Sequence, residues 1–508
     1  MKRSLSLLLA LLLVGLSLGS TVALAEDGAT NSYTAFAMMN GEYALDETLA
    51  WKTWTEMFGL DVQMESVLGA DLTERRNLTL ASGDYPDFFI KSGFSLSDQS
   101  KYGAQGIFIP IEDMIREYMP NLSAVLDERD GWAYLTASDG HIYSLPEIST
   151  LGGAMTTYWI NKKWMDTLGL SEPKSFDELY EVLKAFKEGD PNGNGEADEI
   201  PLTATDAVPP ELLMAYQDYA YDRDTKTAVI DGQLTYIPLT DSWKEFIAYL
   251  TKLYSEGLLD KNAFTQAHEQ QGAIGQSGDV LGSFFDAGAF LTVGRDNDDD
   301  YIALTPFYEG TYPLSVGITP GTLVITDFCE NPEALLTAMD YFYSEAGGIL
   351  AWMGVEGATY NIGEDGYWRW IVDGEYGDDV AEVRASATIQ GAANHPSIQP
   401  EFWMTGMSAE VDPDEVYLNG QRQKVAENGV IALPMMSYTE QENEEIATLT
   451  TDINAYINEY MAQVVTGAQS LDETWDTYVA TMNNMGVERL VQIYNDVYAR
   501  ATAERSEE

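Results

Sequence analysis

The run Asp190-Pro191-Asn192-Gly193-Asn194-Gly195-Glu196-Ala197-Asp198-Glu199 carries the most specific chemistry in this chain. Side-chain oxygens at Asp190, Asn192, Asn194 and Asp198 fall at positions 1, 3, 5 and 9 of an EF-hand-type loop, and Gly195 falls at position 6, where the backbone must turn sharply. Alternate spacing lets successive side chains point inward as the chain curls, and Glu196 at position 7 would offer its backbone carbonyl. Carboxylate and amide oxygens suit a hard cation such as Ca²⁺, not a soft metal. Position 12 is Pro201, so the usual bidentate glutamate is missing, and Glu199 at position 10 is the nearest replacement. The same letters also suit an Asn-Gly surface turn that binds nothing. A bound ion would be structural, pinning the end of one element to the start of the next.

Those elements are legible on both sides. Ser175 stands at an N-cap with Glu178 three residues on, and Leu179, Tyr180, Val182, Leu183 and Phe186 form a helical stripe that runs into the loop. A strand begins near Ile200. Earlier in the chain, strand, helix and strand are expected over Tyr33–Phe36, Leu45–Phe58 and Leu60–Met64. Phe88–Ile90, Gly106–Pro110 and a short run before Pro146 continue the alternation, which argues for α/β layers. Asp231-Gly232 between two β-rich runs predicts a hairpin. Gly282–Gly288 and Gly363–Glu410 read as loops, and a 3.6-residue beat from Ile446 to Val464 predicts a long helix.

With 508 residues, two or three domains are expected, and an apolar fraction of 45% allows large cores. Lys2 and Arg3, the apolar run Leu5–Leu18 and Ala23-Leu24-Ala25 make residues 1–25 an expected export signal, with a mature start at Glu26 outside the cytoplasm. Cys329 is the sole cysteine, which excludes an internal disulfide and a Cys-rich zinc site. No lipobox cysteine follows the signal, so a lipid anchor is not expected. A net charge of −55 makes nucleic acid and anionic membrane surfaces poor partners.

The chain resembles the extracellular solute-binding proteins of ABC transporters, in the group that handles sugars and oligosaccharides and includes alginate-binding members. ASGDYPDFF at 81–89, DGHIYSLP at 139–146, WINKKWMDTLGL at 159–170, DPNGNGEADEIPL at 190–202 and NPEALLTAMDYFYSEAG at 331–347 carry the resemblance, in order along the mature chain. It implies an α/β, periplasmic-binding-protein-like type II fold: two lobes, discontinuous chain crossings and a ligand cleft between them. The implied first lobe is 26–157 plus 304–344. The second is 158–303 plus 345–508 and holds the calcium loop. The resemblance also implies a monomer that captures a sugar or oligosaccharide by lobe closure and delivers it to permease subunits, with no catalysis. Ca²⁺ would be held by Asp190, Asn192, Asn194, Asp198 and Glu199 with the carbonyl of Glu196.

Sugar sites in such proteins pair aromatic platforms with carboxylates and amides. Trp159 sits at the first expected crossing, Trp352 and Glu356 follow the last one, and Trp370 and Trp403 lie with Trp368 in loop-rich sequence. Asp84 and Tyr143 lie near expected strand ends, where α/β clefts form. Each of these residues also suits an ordinary core or turn role. Two other readings stay open: a secreted polysaccharide hydrolase or lyase, and a binding protein for a peptide or osmolyte. Against the enzyme, His141, His268 and His395 have no metal-site spacing, and Gly275-Gln276-Ser277-Gly278 runs into Asp279 instead of completing a nucleophile elbow.

Overall fold

The computed structural model describes residues 31–504, apart from 150–155, 207, 373, 392–393, 409 and 411–412. The export signal expected over 1–25 lies outside these residues. Two sheets organise two hydrophobic cores. The first sheet has five strands in the order Leu60–Val67, Asn31–Met38, Phe88–Ile90, Ile318–Ile325 and Ser144–Ile148. Its first three strands are parallel, and Ile318–Ile325 is antiparallel to both its neighbours. Trp51 and Trp54 pack on one face with Ile111, Leu122, Leu335 and Phe342, while Phe36, Phe89, Phe94 and Tyr143 fill the other. Burial of each large side chain contributes roughly 1.5–3 kcal/mol, so this sheet is anchored on both sides.

The second sheet is smaller: Ser283–Asp286, Thr157–Asn161 and Tyr301–Ala303 pair antiparallel with Thr157–Asn161 in the centre. Ser283–Asp286 lies in the run expected to be a loop. Its Gly flanks hide a short Phe284-Phe285 core, and only pairing with the distant Thr157–Asn161 makes it a strand. The helix Phe176–Glu188 packs against this sheet through Leu179, Val182, Leu183 and Phe186. Ser175 Oγ accepts the Glu178 N–H at 3.1 Å, whereas the Glu178 carboxylate reaches one residue further back, to the Lys174 N–H at 2.9 Å. The Asp231-Gly232 turn has φ of +52° and +77° and joins Thr227–Ile230 to Gln233–Tyr236, as the hairpin signal requires. Glu440–Val465 is one long helix burying Ile453, Ile457, Tyr460 and Val464.

Gly106–Pro110, expected as a strand, contributes one isolated bridge, Phe108 to Thr326. Gly363–Glu410, expected as loops, holds a hairpin of Tyr360–Ile362 with Trp368–Trp370 and the helices Val380–Ala387 and Glu401–Thr405. The partition of the chain also differs from expectation. Leu350, Ala351 and Ile389 belong to the first core, and Leu418 and Val425 are the next buried residues of the second. Chain beyond Tyr343 thus contributes to both cores, and Met435 again packs against the first. Hydrophobic segments join whichever core they complete, and no local signal marks that choice.

The crossings are pinned by polar contacts. Thr305 donates twice to Glu172 Oε1, at 2.7 and 2.8 Å, and Lys424 Nζ donates to the same oxygen at 2.9 Å. Burial opposes ionisation of Glu172, but these partners hold its carboxyl below the usual range. Tyr312–Pro313 pairs with Gly429–Val430 in a short ribbon beside them. A hollow of about 740 Å³ separates Arg129 and Tyr134 of the first lobe from Val229 and Tyr498 of the second, around Ser315 and Leu433. The lobes are thus joined by strands of chain, with open space beside the joints.

Candidate functional site

The acidic loop leaves the Phe176–Glu188 helix at Asp190, whose φ is +46°. Gly195 N–H donates to both Asp190 carboxylate oxygens, at 3.3 and 3.2 Å, closing the curl. Asn194 N–H donates to Asn192 Oδ1 at 3.0 Å, and Glu196 N–H to Asn194 Oδ1 at 2.7 Å. The Asn192 and Asn194 amides both donate to Asp198, at 3.2 and 3.1 Å. Asn192 also donates to the Asp279 carbonyl at 3.0 Å, and beyond the loop the Ile200 N–H donates to the Val280 carbonyl while the Ile200 carbonyl accepts the Gly282 N–H. The strand expected from Ile200 is reduced to isolated bridges, Ile200 to Leu281 and Leu202 to Leu259, and a Cβ on Gly282 would lie 2.7 Å from the Pro201 carbonyl, so only glycine lets this exit segment sit so close to the sheet.

The fit to a hard cation rests on Glu199. Its Oε1 is buried with no hydrogen-bond partner, and burial, then the charges of Asp198 and Asp190, push its carboxyl above the usual range. An orphaned buried oxygen beside two other carboxylates is the donor set a divalent ion would complete. Among the described residues no group of three His, Cys, Asp or Glu side chains is gathered as a metal cluster. The loop's set is a different kind, carboxylates interleaved with amides whose oxygen and nitrogen exchange by a simple flip.

The second constellation lies on the first lobe. Because Asn31–Met38, Leu60–Val67 and Phe88–Ile90 run parallel, their carboxyl ends share one edge, and Ile318 pairs with Ile148 at that same edge, beside the crossings. Open α/β sheets bind ligands at such an edge. Here Lys91, with φ of +54°, is fully buried and donates from Nζ to Asn40 Oδ1 and to the Ile389 carbonyl. Glu147 Oε2 accepts the Asn394 N–H at 2.9 Å, and its Oε1 lies 3.7 Å from His395 Nε2. His395 Nδ1 and Trp352 Nε1 both meet Ser397 Oγ, at 2.9 and 3.2 Å. Burial lowers Lys91 to about 7 and raises Glu147. Burial, then the charges of Lys91 and Arg384, hold His395 well below its usual value, so it is neutral. Gly321, at φ +81°, accepts the Phe94 N–H on the same edge, where a Cβ would strike the Phe94 backbone.

Trp352, Trp368, Trp370 and Trp403 converge beside this network. Ring centroids lie 5.6 Å apart for Trp352–Trp403, 5.1 Å for Trp368–Trp403 and 6.0 Å for Trp370–Trp403. Trp352 also meets His395 edge-on at 5.4 Å. Trp352 and Trp370 keep partly open faces, and Glu356 stands exposed beside Tyr360 at the cluster's rim.

Three expected ligand residues are elsewhere. Asp84 precedes Phe88–Ile90 and so sits at the opposite edge of the first sheet, in an exposed turn closed by Ser82. Tyr143 is a core residue whose hydroxyl donates to Asp139 at 2.8 Å. Trp159 is 1% exposed in the second core, with Nε1 satisfied by the Asp286 carbonyl at 3.0 Å. A strand end in sequence has two possible edges, and an aromatic at a crossing can equally fill the core beneath it. Conversely, Lys91, Glu147, His395 and Ser397, which the structure gathers at this edge, were not among the expected residues. Glu147 directly follows the quoted DGHIYSLP run, the one local signal for it.

On the second lobe, Asp286 pairs with Thr157, the first residue of the strand entering from the crossing, and Thr203 follows Ser283 in the same direction. Thr205 and Asp206 therefore reach the crossing edge, where they line a polar pocket of about 580 Å³ with Arg223, Asp224, Phe264 and Asn458. Polar walls thus stand at the crossing edges of both lobes. The sequence pattern of the bacterial extracellular solute-binding proteins matches residues 39–349, well over half of the chain.

The chain belongs to that family.

The solute-binding protein is 29% identical over 462 residues to FusA, a fructooligosaccharide ABC transporter substrate-binding protein of Streptococcus pneumoniae; the match spans 86% of this chain and 84% of FusA. A solved structure of S. pneumoniae FusA, an EF-hand mutant in complex with fructo-nystose, covers 93% of this chain and 100% of its own at 25% identity and a TM-score of 0.72. An HMO-binding, ABC-transporter-associated solute-binding protein from Bifidobacterium longum infantis shares the fold, with a TM-score of 0.78 at 20% identity over 92% of this chain and 99% of that one.

Proposed function

We propose that this solute-binding protein is the extracytoplasmic capture subunit of an ABC importer for oligosaccharides. The observation that carries the reading is the tryptophan cluster around His395 and Ser397, at the edge of the first sheet that faces the crossings. Tryptophan faces stack on the apolar faces of sugar rings, and Glu147 and the Asp206 pocket supply acceptors for hydroxyls. The match to FusA supports an oligosaccharide as solute. Closure follows from the joints: a ligand touching both walls stabilises the state in which they approach, and the open hollow at Ser315 and Leu433 leaves the lobes room to rotate. The shut form is the one the permease would engage. Isothermal calorimetry against fructan, maltose-type and milk-type oligosaccharides tests this; heat on a peptide library with silence on every glycan would overturn the sugar assignment.

Asp190, Asn192, Asn194, Asp198 and Glu199, with the Glu196 carbonyl, would hold Ca²⁺. The EF-hand named in the FusA structure and the orphaned Glu199 oxygen support this. The ion would offset the charges of Asp190, Asp198 and Glu199 and fix the exit segment at Ile200. Among the described residues no helix is long and apolar enough to cross a membrane, and the reading places the protein outside the cytoplasm beside its permease.

A further inference from the structure

We infer that the solute is an acidic oligosaccharide, its carboxylate or sulfate met by Arg384 from the first lobe and Arg422 from the second, an inference that rests on the sugar-binding reading above. The chain carries 82 acidic residues and only 27 lysines and arginines, so guanidiniums that outnumber their counter-charges need a reason. Arg384 lies on the helix Val380–Ala387, which Asn40 holds to the crossing edge of the first sheet by donating to the Thr388 carbonyl at 2.7 Å. Its guanidinium stands 5.9 Å from the Trp403 ring centroid, beside the tryptophan cluster, and donates to Gln390 Oε1 at 2.8 Å. Arg422 lies on the helix Pro413–Ala426, which Tyr417 and Gln421 tie to the Tyr301–Ala303 strand of the second sheet. Ala287 follows Asp286, the strand end that faces the crossing, and its carbonyl accepts from Arg422 Nη2 at 2.7 Å. The Arg422 Nε is buried with no partner.

The charges around the pair do not balance it. Burial opposes ionisation of both guanidiniums, and among the described residues Glu415 is the only carboxylate whose charge favours it in either. Arg295 already takes Glu415 Oε1 at 2.8 Å and Asp298 Oδ2 at 3.2 Å. Three arginines therefore stand against two carboxylates along one stretch of the cleft. A guanidinium out of water without a full counter-charge is costly, and its forked donors match a carboxylate or a sulfate. Sugar hydroxyls also accept from such a fork, but they bring no charge. Because Glu415 is within reach of both Arg384 and Arg422, an anion held there would bridge the lobes and favour the shut form. Glu147 and Glu356 remain to accept hydroxyls, and neither is among the charges felt by the two arginines. The net charge of −55 opposes an acidic solute at a distance, but salt screens that field within about 8 Å, whereas a buried contact pair is screened far less.

The test is calorimetry on the full-length mature protein. Tri- to pentasaccharides of galacturonate, alginate, hyaluronan and sulfated-galactan type are each run beside their carboxyl-reduced or desulfated counterparts, with neutral fructans as a further series. The expected result is that one acidic series binds at least about a hundredfold tighter than its neutral counterpart, a comparison that needs no variant. Arg384→Gln and Arg422→Gln should each weaken the acid by at least about tenfold and leave the neutral counterpart unchanged. Neutral glycans binding as tightly as every acid, or more tightly, would overturn the inference and leave the sugar reading standing. Acid binding lost only in Arg223→Gln, the exposed guanidinium of the second-lobe pocket, would overturn the assignment to this pair. Silence on every glycan would sink the sugar reading and this inference with it.

Discussion

The acidic loop and the tryptophan cluster are built in opposite ways. Every side chain of the loop comes from one decapeptide, and its contacts span at most a few residues, apart from the tie of Asn192 to Asp279. The cluster gathers Trp352, Trp368, Trp370 and Trp403 from one stretch, then joins them to Asn40, Lys91 and Glu147 from far earlier in the chain. A local site needs only the right backbone curl, whereas an assembled site needs the whole first lobe. The loop should therefore be sensitive to its ion and its helix, and the cluster to packing and proton uptake.

The largest expected effect is on the cluster. Trp403→Ala should destabilise the first lobe by about 3–5 kcal/mol, because it empties the centre of the aromatic packing. Urea unfolding followed by tryptophan fluorescence checks this; a loss below about 1 kcal/mol would mean that the cluster packs no better than a loop. Removing calcium should come next. At a free ion concentration a hundred times its dissociation constant, a bound ion adds about 2.7 kcal/mol, so chelation should lower the melting temperature by roughly 5 °C or more. The double variant Asp190→Ala/Asp198→Ala should melt at the chelated temperature whether or not calcium is present. An unchanged melt on chelation in the parent protein would remove the ion from the account.

Proton linkage should mark both sites, the loop through the raised Glu199 carboxyl and the assembled site through Lys91 and His395. Between pH 7 and 10.5 the unfolded chain keeps the Lys91 proton and the folded chain has lost it, so stability rises with pH across that window. Below the ordinary histidine range at 6.5, unfolding lets His395 take up a proton that the folded state refuses, so stability falls as pH falls. Chemical unfolding across pH, repeated on Lys91→Met, should flatten the first slope and leave the calcium response intact. The smallest effect should come from Ser175→Ala, which removes the cap of the helix that feeds the loop, at about 1 kcal/mol. Its informative readout is calcium affinity: a drop would show that the loop leans on its helix, and none would show that the curl is autonomous.

Much of the local structure was legible in the residues. Ser175, the Asp231-Gly232 turn and the apolar beat of Glu440–Val465 each act within a few residues, and each appears as expected. Ser470 and Glu473, with the same capping spacing, form no side-chain cap, because that spacing permits the bond without requiring it. The site was legible only in part. Trp352, Trp370 and Trp403 come together, whereas Asp84, Tyr143 and Trp159 lie apart from them, because a strand end in sequence does not say which edge of the sheet it reaches.

By itself the sequence determined the curl at Asp190–Glu199, the element types around it and the strong negative charge, since these depend on backbone preference and composition over short spans. Only the tertiary structure decided that Ser283–Asp286 is a strand, that Leu350, Ala351 and Ile389 join the first core while Leu418 and Val425 join the second, and that Lys91, Glu147 and His395 share one edge. Those outcomes depend on which distant surfaces exclude water together, and burial of that kind leaves no mark at the residues themselves.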